Sequence, residues 1–402
     1  MKKAVYLDCA STTPLKKEVV LAMKPYWSQN FGNPSSITEI GVKARQVVEK
    51  ARAEVADHLL RRPNEIIFTS GGTESNNLAI FGLVNSLESQ GVKISALHFI
   101  TSNIEHSSIT ECFKELERRG AKVDYLKVKE NGIVEPRDLR KLVKSNTVLV
   151  SVGYANNEIG TVQPIREIAG EVRHARKINK ILNTEGISQY PYFHSDASQA
   201  GLYFDLNVNQ LGTDLLTLDA QKIYGPKGVG ILFIRAGVNI LPMVFGGGQE
   251  KGIRPGTENV PLIVGQAKAL ELARNNFMKK AEKIKIVRNY FWQKIQTEIP
   301  EAILNGDLEN RLPNNLNISI IGIDPEFTVL SLDERGIICS TKSACNHTAD
   351  SSFVVQALGQ GADVAKYTLR FSLAENVTKK DIDFVVSELK IIIEKQLNQK
   401  FI

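Results

Sequence analysis

The chain has 402 residues, of which 43% are hydrophobic and 23% charged, with a formal net charge of +6. That length exceeds one ordinary core, so more than one domain is expected, and the composition is that of a soluble globular protein. No apolar run approaches the roughly 18 residues that cross a bilayer, and Asp8 arrives too early for a secretory leader. A cytoplasmic location is therefore expected. Basic and acidic residues are interleaved, as in Lys279-Lys280-Ala281-Glu282-Lys283, which is the pattern of a solvated surface. Neither a membrane nor a nucleic acid is expected as a partner. The four cysteines, Cys9, Cys112, Cys339 and Cys345, do not make a disulfide framework. A cysteine in unusual surroundings is then read as a nucleophile or a ligand.

Short apolar runs alternate with amphipathic segments along the first two thirds of the chain. A helix is expected over 43–60, where Val47, Ala51, Val55 and Leu59 recur at i+4 steps. Strands are expected at 65–69, 97–101, 123–128, 147–152, 193–196, 215–218 and 230–235. This alternation predicts an α/β fold, a mostly parallel seven-stranded sheet with helices on both faces. The segment 183–192, rich in Gly, Pro and Asn, predicts a loop longer than the usual helix-to-strand link. After Pro261 the texture becomes α+β. One unbroken helix is expected over 262–298, then strands at 315–321, 336–339 and 367–373. A helix opened by Asp324-Pro325-Glu326 lies among them, and a closing helix over 378–397 starts at a capping box, Thr378-Lys379-Lys380-Asp381. We therefore expect a large domain over 16–261 and a smaller one built from 1–15 and 262–402.

Three stretches carry chemistry. In Phe68-Thr69-Ser70-Gly71-Gly72-Thr73-Glu74 an apolar strand meets two glycines, a threonine and a helix. Backbone N–H groups and a hydroxyl at a helix N-terminus favour a phosphate, although a plain turn and cap would read the same way. No P-loop lysine accompanies them, so a nucleoside triphosphate is not indicated. In Phe193-His194-Ser195-Asp196, a buried strand delivers Asp196 to its C-terminal end, where ligands of parallel sheets gather. A carboxylate there can hold a pyridine nitrogen protonated, the condition under which pyridoxal phosphate is an electron sink; a helix-capping aspartate is the alternative. In Leu216-Thr217-Leu218-Asp219-Ala220-Gln221-Lys222-Ile223-Tyr224-Gly225-Pro226-Lys227-Gly228, a lysine follows an apolar strand and precedes a Gly-Pro turn. That setting suits a Schiff-base amine better than a surface lysine.

Phosphate loop, aspartate and lysine in this order resemble a fold-type I pyridoxal-phosphate enzyme of the class-V aminotransferase family, specifically the cysteine desulfurases of iron–sulfur-cluster assembly and nitrogen fixation. The resemblance spans nearly the whole chain and includes Tyr6-Leu7-Asp8, Phe31-Gly32-Asn33-Pro34-Ser35, Glu105-His106, Asn156-Asn157-Glu158-Ile159-Gly160, Gly246-Gly247-Gly248-Gln249-Glu250, Pro255-Gly256-Thr257, Ser343-Ala344-Cys345 and Leu369-Arg370-Phe371-Ser372. It implies a homodimer that converts L-cysteine to L-alanine and passes sulfur to an acceptor protein. It further implies that Gly72 and Thr73 bind the cofactor phosphate, and that Thr257 reaches the phosphate of the neighbouring subunit. His106 would stack on the ring and shuttle protons, Asn157 and Gln199 would bond the ring hydroxyl, and Asp196 would pair with the ring nitrogen. Lys222 would hold the cofactor, Arg370 with Asn33 and Asn157 would take the substrate, and Cys345, in a small polar loop, would receive the sulfur. His106 as a helix cap and Arg370 as a strand arginine paired between domains are the bland counterparts of these roles. No resident metal site is expected, although Cys345 as a thiolate can lend one ligand to a transient iron–sulfur cluster.

The chain departs from the family's pattern at several positions. Asp219-Ala220-Gln221 stands where Ser-Gly-His is usual before the lysine. Gln221 still donates to a phosphate, but Asp219 repels one unless it points away or is neutralised. Lys342 replaces a usual glycine, and the Cys345 loop is about one residue shorter than usual before Phe353. Two other readings stay open from sequence: another pyridoxal-phosphate lyase or aminotransferase, such as a selenocysteine lyase, and a non-catalytic partner in a sulfur pathway.

Overall fold

The structure, a computed structural model, describes residues 4–181, 190–341 and 351–399. Most of the 183–192 segment and the whole 342–350 loop with Cys345 lie outside the described residues. The strands are β1 (Val5–Tyr6), β2 (Ile66–Thr69), β3 (His98–Ser102), β4 (Lys122–Leu126), β5 (Thr147–Ser151), β6 (Tyr192–Asp196), β7 (Leu215–Asp219), β8 (Gly230–Ile234), β9 (Ile303–Leu304), β10 (Asn315–Ser319), β11 (Ile337–Ile338) and β12 (Thr368–Ser372). The longer helices are α1 (Glu39–His58), α2 (Gly72–Ser89), α3 (Ser107–Arg118), α4 (Ile165–Ile181), α5 (Val260–Arg274), α6 (Phe277–Glu298), α7 (Pro325–Asp333) and α8 (Lys379–Gln399).

Seven strands form one sheet in the order β2-β8-β7-β6-β5-β3-β4. All neighbours run parallel except β8, which is antiparallel to both β2 and β7. Each of the seven expected strands is present, with ends shifted by a residue or two. Their near-continuous apolar runs follow from burial on both faces. Successive residues divide between two cores, as a pleated strand requires. Phe68, Ile100, Val150, Leu216 and Phe233 pack into one core with Val48 and Val55 of α1 and Leu270 of α5. Their chain neighbours Ile67, Phe99, Leu149, Leu215 and Leu232 pack into the other, against Leu83 of α2 and Phe113 of α3.

The remainder of the chain is built around an antiparallel sheet, β12-β10-β9, and the parallel pair β1-β11. One expectation is corrected here. The single helix over 262–298 is two helices, α5 and α6, separated at Asn275 and Asn276. Asn276 adopts a left-handed φ of 54°, a conformation asparagine tolerates better than most residues. The apolar periodicity continues on both sides of the break, which is why the pattern conceals it. The closing helix begins as expected: Thr378 N–H donates to Asp381 Oδ2 at 2.8 Å and Asp381 N–H to Thr378 Oγ1 at 3.3 Å. Among the described residues no helix is long and apolar enough to cross a membrane.

The N-terminal segment links the smaller sheets to the large one. β1 pairs with β11, Asp8 bridges to Ser372, and Ala10 N–H donates to Ser372 Oγ at 2.8 Å. A few residues on, Thr13 Oγ1 donates to the Gln221 carbonyl at 2.7 Å and accepts from Tyr224 N–H at 2.8 Å.

Candidate active site

The C-terminal ends of β2, β3, β5, β6 and β7 open onto one cavity of about 190 Å³, the position expected for a ligand of a parallel sheet. Its lining includes Gly72, Thr73, His106, Asn157, Asp196, Gln199, Asp219, Gln221, Lys222 and Arg370. Ten residues singled out from the sequence thus converge on one space. Asn33 and Thr257 do not line it. Both are exposed, and Thr257 lines a second cavity beside Glu250 and Arg254. Cys345 lies outside the described residues.

Asp196 ends β6 with its carboxylate fixed on both oxygens. Asn76 Nδ2 of α2 donates to Oδ2 at 2.7 Å, and Ser198 N–H donates to Oδ1 at 2.9 Å. Two residues back, His194 lies between Ser151 Oγ and Thr217 Oγ1 at 2.9 and 3.1 Å. Burial lowers its pKa to about 4 against the opposing charge of Asp196, so the ring is neutral. A carboxylate fixed on both oxygens, above a neutral histidine, can pair with a protonated ring nitrogen.

Lys222 closes a short 3-10 turn, Ala220–Lys222, that follows β7 directly. Its Nζ donates to the carbonyls of Ala10 and Ser11 at 2.7 and 2.6 Å, so the N-terminal segment positions the amine. Behind it, Gly225 permits the tight turn: a Cβ there would meet the Ala220 carbonyl and Ala269 Cβ at 2.8 Å each.

His106 meets the helix-cap reading and also reaches the cavity. It is the N-cap of α3, where Nδ1 accepts from Ser108 N–H at 3.1 Å, and it also lines the cavity. With Nδ1 an acceptor, the neutral ring carries its proton on Nε2, an assignment made from the donors present. The preceding Glu105 is buried beneath it. Both its oxygens accept from Gly153 N–H at 3.0 Å, and Ser102 Oγ donates to Oε1. Burial outweighs these bonds and, with the negative charge of Asp196 adding, pushes its pKa up to about 7.

Arg370, on β12, is 1% exposed. Its Nη2 donates to Asp8 Oδ1 at 2.9 Å and Ser11 Oγ at 2.8 Å, and Nη1 donates to the Asn157 carbonyl at 3.2 Å. It is therefore paired in the frame and still presented to the cavity. A guanidinium in that setting recognises a carboxylate.

At the start of α2 the Gly72 N–H meets Asp219 Oδ2 at 3.3 Å. Gln221 donates twice to the same carboxylate, from its N–H to Oδ1 at 3.2 Å and from Nε2 to Oδ2 at 3.1 Å. Asp219 does not point away from the phosphate loop; it faces it. Around the second cavity, Arg52 forms a buried two-pronged pair with Glu250 at 2.7 and 2.6 Å, and Glu250 also accepts from Phe68 N–H at 2.9 Å. Arg254 reaches back to Glu74 in the first turn of α2 at 3.0 Å. The first pair ties the segment before Thr257 to α1, and the second ties it to the start of α2.

Four contributors escaped the sequence reading: Asn76, Ser198, Glu105 as a buried acid, and the carbonyls of Ala10 and Ser11. Only Asn76 left a usable trace, an amide beside the apolar residues Leu78, Ala79 and Ile80 in the first half of the helix. The other cysteines also resolve. Cys9, Cys112 and Cys339 are buried, and burial pushes each thiol up to about 12, which leaves them inert as nucleophiles.

The residues present fit pyridoxal phosphate. An amine, a fixed carboxylate, an imidazole and a guanidinium surround one cavity, and two polar atoms on its wall, Ser198 Oγ and Arg370 Nε, are buried without a partner. Fold and site together define a fold-type I pyridoxal-phosphate enzyme. Comparison with known proteins agrees. Residues 5–385 match the family described as Aminotransferase class-V. A relative named cysteine desulfurase IscS, from Dictyoglomus turgidum, is 43% identical over 396 residues, 98% of this chain and 96% of the relative. Another of the same name, from Methanosarcina thermophila, is 42% identical over 98% of this chain and 93% of its own length. A solved structure titled NifS-like protein superposes with a TM-score of 0.86 at 34% identity, covering 97% of this chain and 99% of that one. One titled SspA in complex with cysteine gives 0.75 at 33% identity, covering 92% and 98%. The chain belongs to the class-V aminotransferase family and, within it, to the pyridoxal-phosphate-dependent cysteine desulfurases.

Proposed function

We propose that the protein takes sulfur from L-cysteine, leaving L-alanine, and carries it as a persulfide on Cys345 to an acceptor protein that builds iron–sulfur clusters or thiolated products. One observation supports this above the others: Lys222, Asp196, His106 and Arg370, from four separate elements, line a single cavity. Pyridoxal phosphate, when bound, supplies an electron sink for the substrate's α-carbon. In this reading Gly72, Thr73 and Gln221 hold its phosphate, Asp196 its ring nitrogen, and Asn157 and Gln199 its ring hydroxyl. Arg370 orients the substrate carboxylate. The Lys222 amine and the His106 ring carry protons at the α-carbon and the sulfur. The Cys345 thiolate attacks the substrate sulfur: an S–S bond forms, the C–S bond breaks, and its electron pair stays on the carbon that a proton then converts to the methyl group of alanine.

We propose further that the protein works as a homodimer in the cytoplasm, with its domain division at Pro261. The absence of disulfides among the described cysteines suits a reducing compartment. Trp27, Phe31, Ile37 and Phe245 leave 59%, 70%, 93% and 87% of their surface exposed, more apolar area than a free surface favours. Gln249 connects these loops, bonding Ser35 Oγ at 3.4 Å and Gly256 N–H at 3.2 Å, next to Thr257. A second copy on this face would bring Thr257 to its neighbour's phosphate. The catalytic reading is tested with Cys345→Ala. The variant is expected to keep the cofactor's spectral response to L-cysteine and to release no sulfide in the presence of a thiol reductant. Sulfide at the parent rate would refute the assignment of Cys345.

A further inference from the structure

The phosphate loop already holds a carboxylate side chain of the protein's own. The Asp219 carboxylate, in a residue only 7% exposed, accepts three N–H groups: Gly72 N–H at 3.3 Å and Gln221 N–H and Nε2–H at 3.2 and 3.1 Å. Gly72 opens an 18-residue helix, so its amide is one of the donors a bound anion would use. Beside it lies Ser198, 8% exposed, whose Oγ has no partner and would stand 3.2 Å from a Cβ on Gly72. Ser198, Gly72, Thr73, Asp219 and Gln221 all line the same cavity. The ion pairs among the described residues include none at Asp219.

We propose that Asp219 is a built-in competitor for the cofactor phosphate: its carboxylate occupies the anion cup and must turn out before pyridoxal phosphate seats. The inference rests on the reading that Gly72 and Thr73 hold the phosphate. A carboxylate and a phosphate dianion cannot share a few N–H donors in a partly dry site, because like charges at that range repel strongly. The phosphate therefore has to displace Asp219, and displacement frees the Gly72 amide and the Gln221 side chain to donate to it. Binding of the ring is untouched, so the penalty falls on the phosphate alone. The enzyme then holds its cofactor loosely and exchanges it with the surrounding pool.

The test is an equilibrium titration of the full chain, stripped of cofactor, with pyridoxal phosphate and separately with pyridoxal, followed by the absorbance of the bound ring. Asp219→Asn keeps the shape and an acceptor for Gln221, and Asp219→Ser shortens the side chain to a hydroxyl. Both are expected to bind pyridoxal phosphate about tenfold or more tighter than the parent, with pyridoxal affinity unchanged. Thr73→Ala is the companion variant and is expected to weaken pyridoxal phosphate alone. If Thr73→Ala weakens binding while both Asp219 variants bind no tighter than the parent, the competitor role is overturned and the phosphate placement stands. If Thr73→Ala changes nothing, the phosphate lies elsewhere and both readings fall.

Discussion

Replacing Glu105 by glutamine tests the electrostatics beneath His106. Glu105 is buried, and its pKa rises from the usual 4.5 to about 7, with burial the largest cause and the charge of Asp196 adding to it. A rise of that size costs the folded state about 3 kcal/mol once the group must ionise. Below about pH 4.5 the acid is protonated in folded and unfolded chains alike, and it contributes no pH dependence. Between about pH 4.5 and pH 7 the unfolded chain releases its proton while the folded chain keeps it, so stability falls as pH rises. Above about pH 7 both states are ionised, and the whole cost is present and constant. Glutamine preserves the shape and an acceptor for Gly153 N–H and removes the ionisation. The melting temperature of Glu105→Gln relative to the parent is therefore expected to climb by a few degrees between pH 5 and pH 8, read by scanning fluorimetry. Relative, not absolute, stability is the observable, since all other titrations are common to both proteins. A difference that stays flat across that range would refute the reasoning, because Glu105 would then ionise without cost.

Glu250→Ala leaves the buried Arg52 guanidinium without its carboxylate and Phe68 N–H without its acceptor. It is expected to destabilise the protein by about 3–5 kcal/mol, measured from the denaturant midpoint, and a loss below about 1 kcal/mol would contradict the pairing. Arg370→Lys keeps a charge but loses the planar fork and two of the bonds that hold it to Asp8, Ser11 and Asn157. Steady-state kinetics are expected to show KM for L-cysteine raised by about tenfold or more, with the cofactor spectrum unchanged. An unaltered KM would remove Arg370 from substrate recognition.

The seven strands of the large sheet were legible because burial on both faces writes a plain apolar run, whereas the glycines, aspartate and lysine at their ends each had an ordinary structural reading and pointed to one site only when taken together in order. Lys222, Asp196, Thr73 and His106 do line one cavity. Other features leave no local trace. The break at Asn275 and Asn276 is a backbone event inside a pattern that stays periodic on both sides. The direction in which Asp219 points depends on donors contributed by Gly72, 147 residues away in the chain, so the sequence flags a conflict with phosphate without deciding it. The raised pKa of Glu105 likewise comes from its burial and from the charge of Asp196, 91 residues on, which nothing in Glu105-His106 announces. Residue types reveal what chemistry is available, whereas the protonation state of each group belongs to the assembled surroundings.

The N-terminal segment also sets a timetable for synthesis. Val5 and Tyr6 pair with Ile337 and Ile338, and Ala10 and Ser11 supply the carbonyls that hold Lys222. Residues 5 and 6 therefore wait for a partner made roughly 330 positions later. Until that strand arrives, one wall of the cavity is missing and Arg370 has not been made, so a nascent or prematurely terminated chain could assemble the large sheet and yet hold no closed site. Arrival of β11 and β12, and not collapse of the large sheet, is what closes this site.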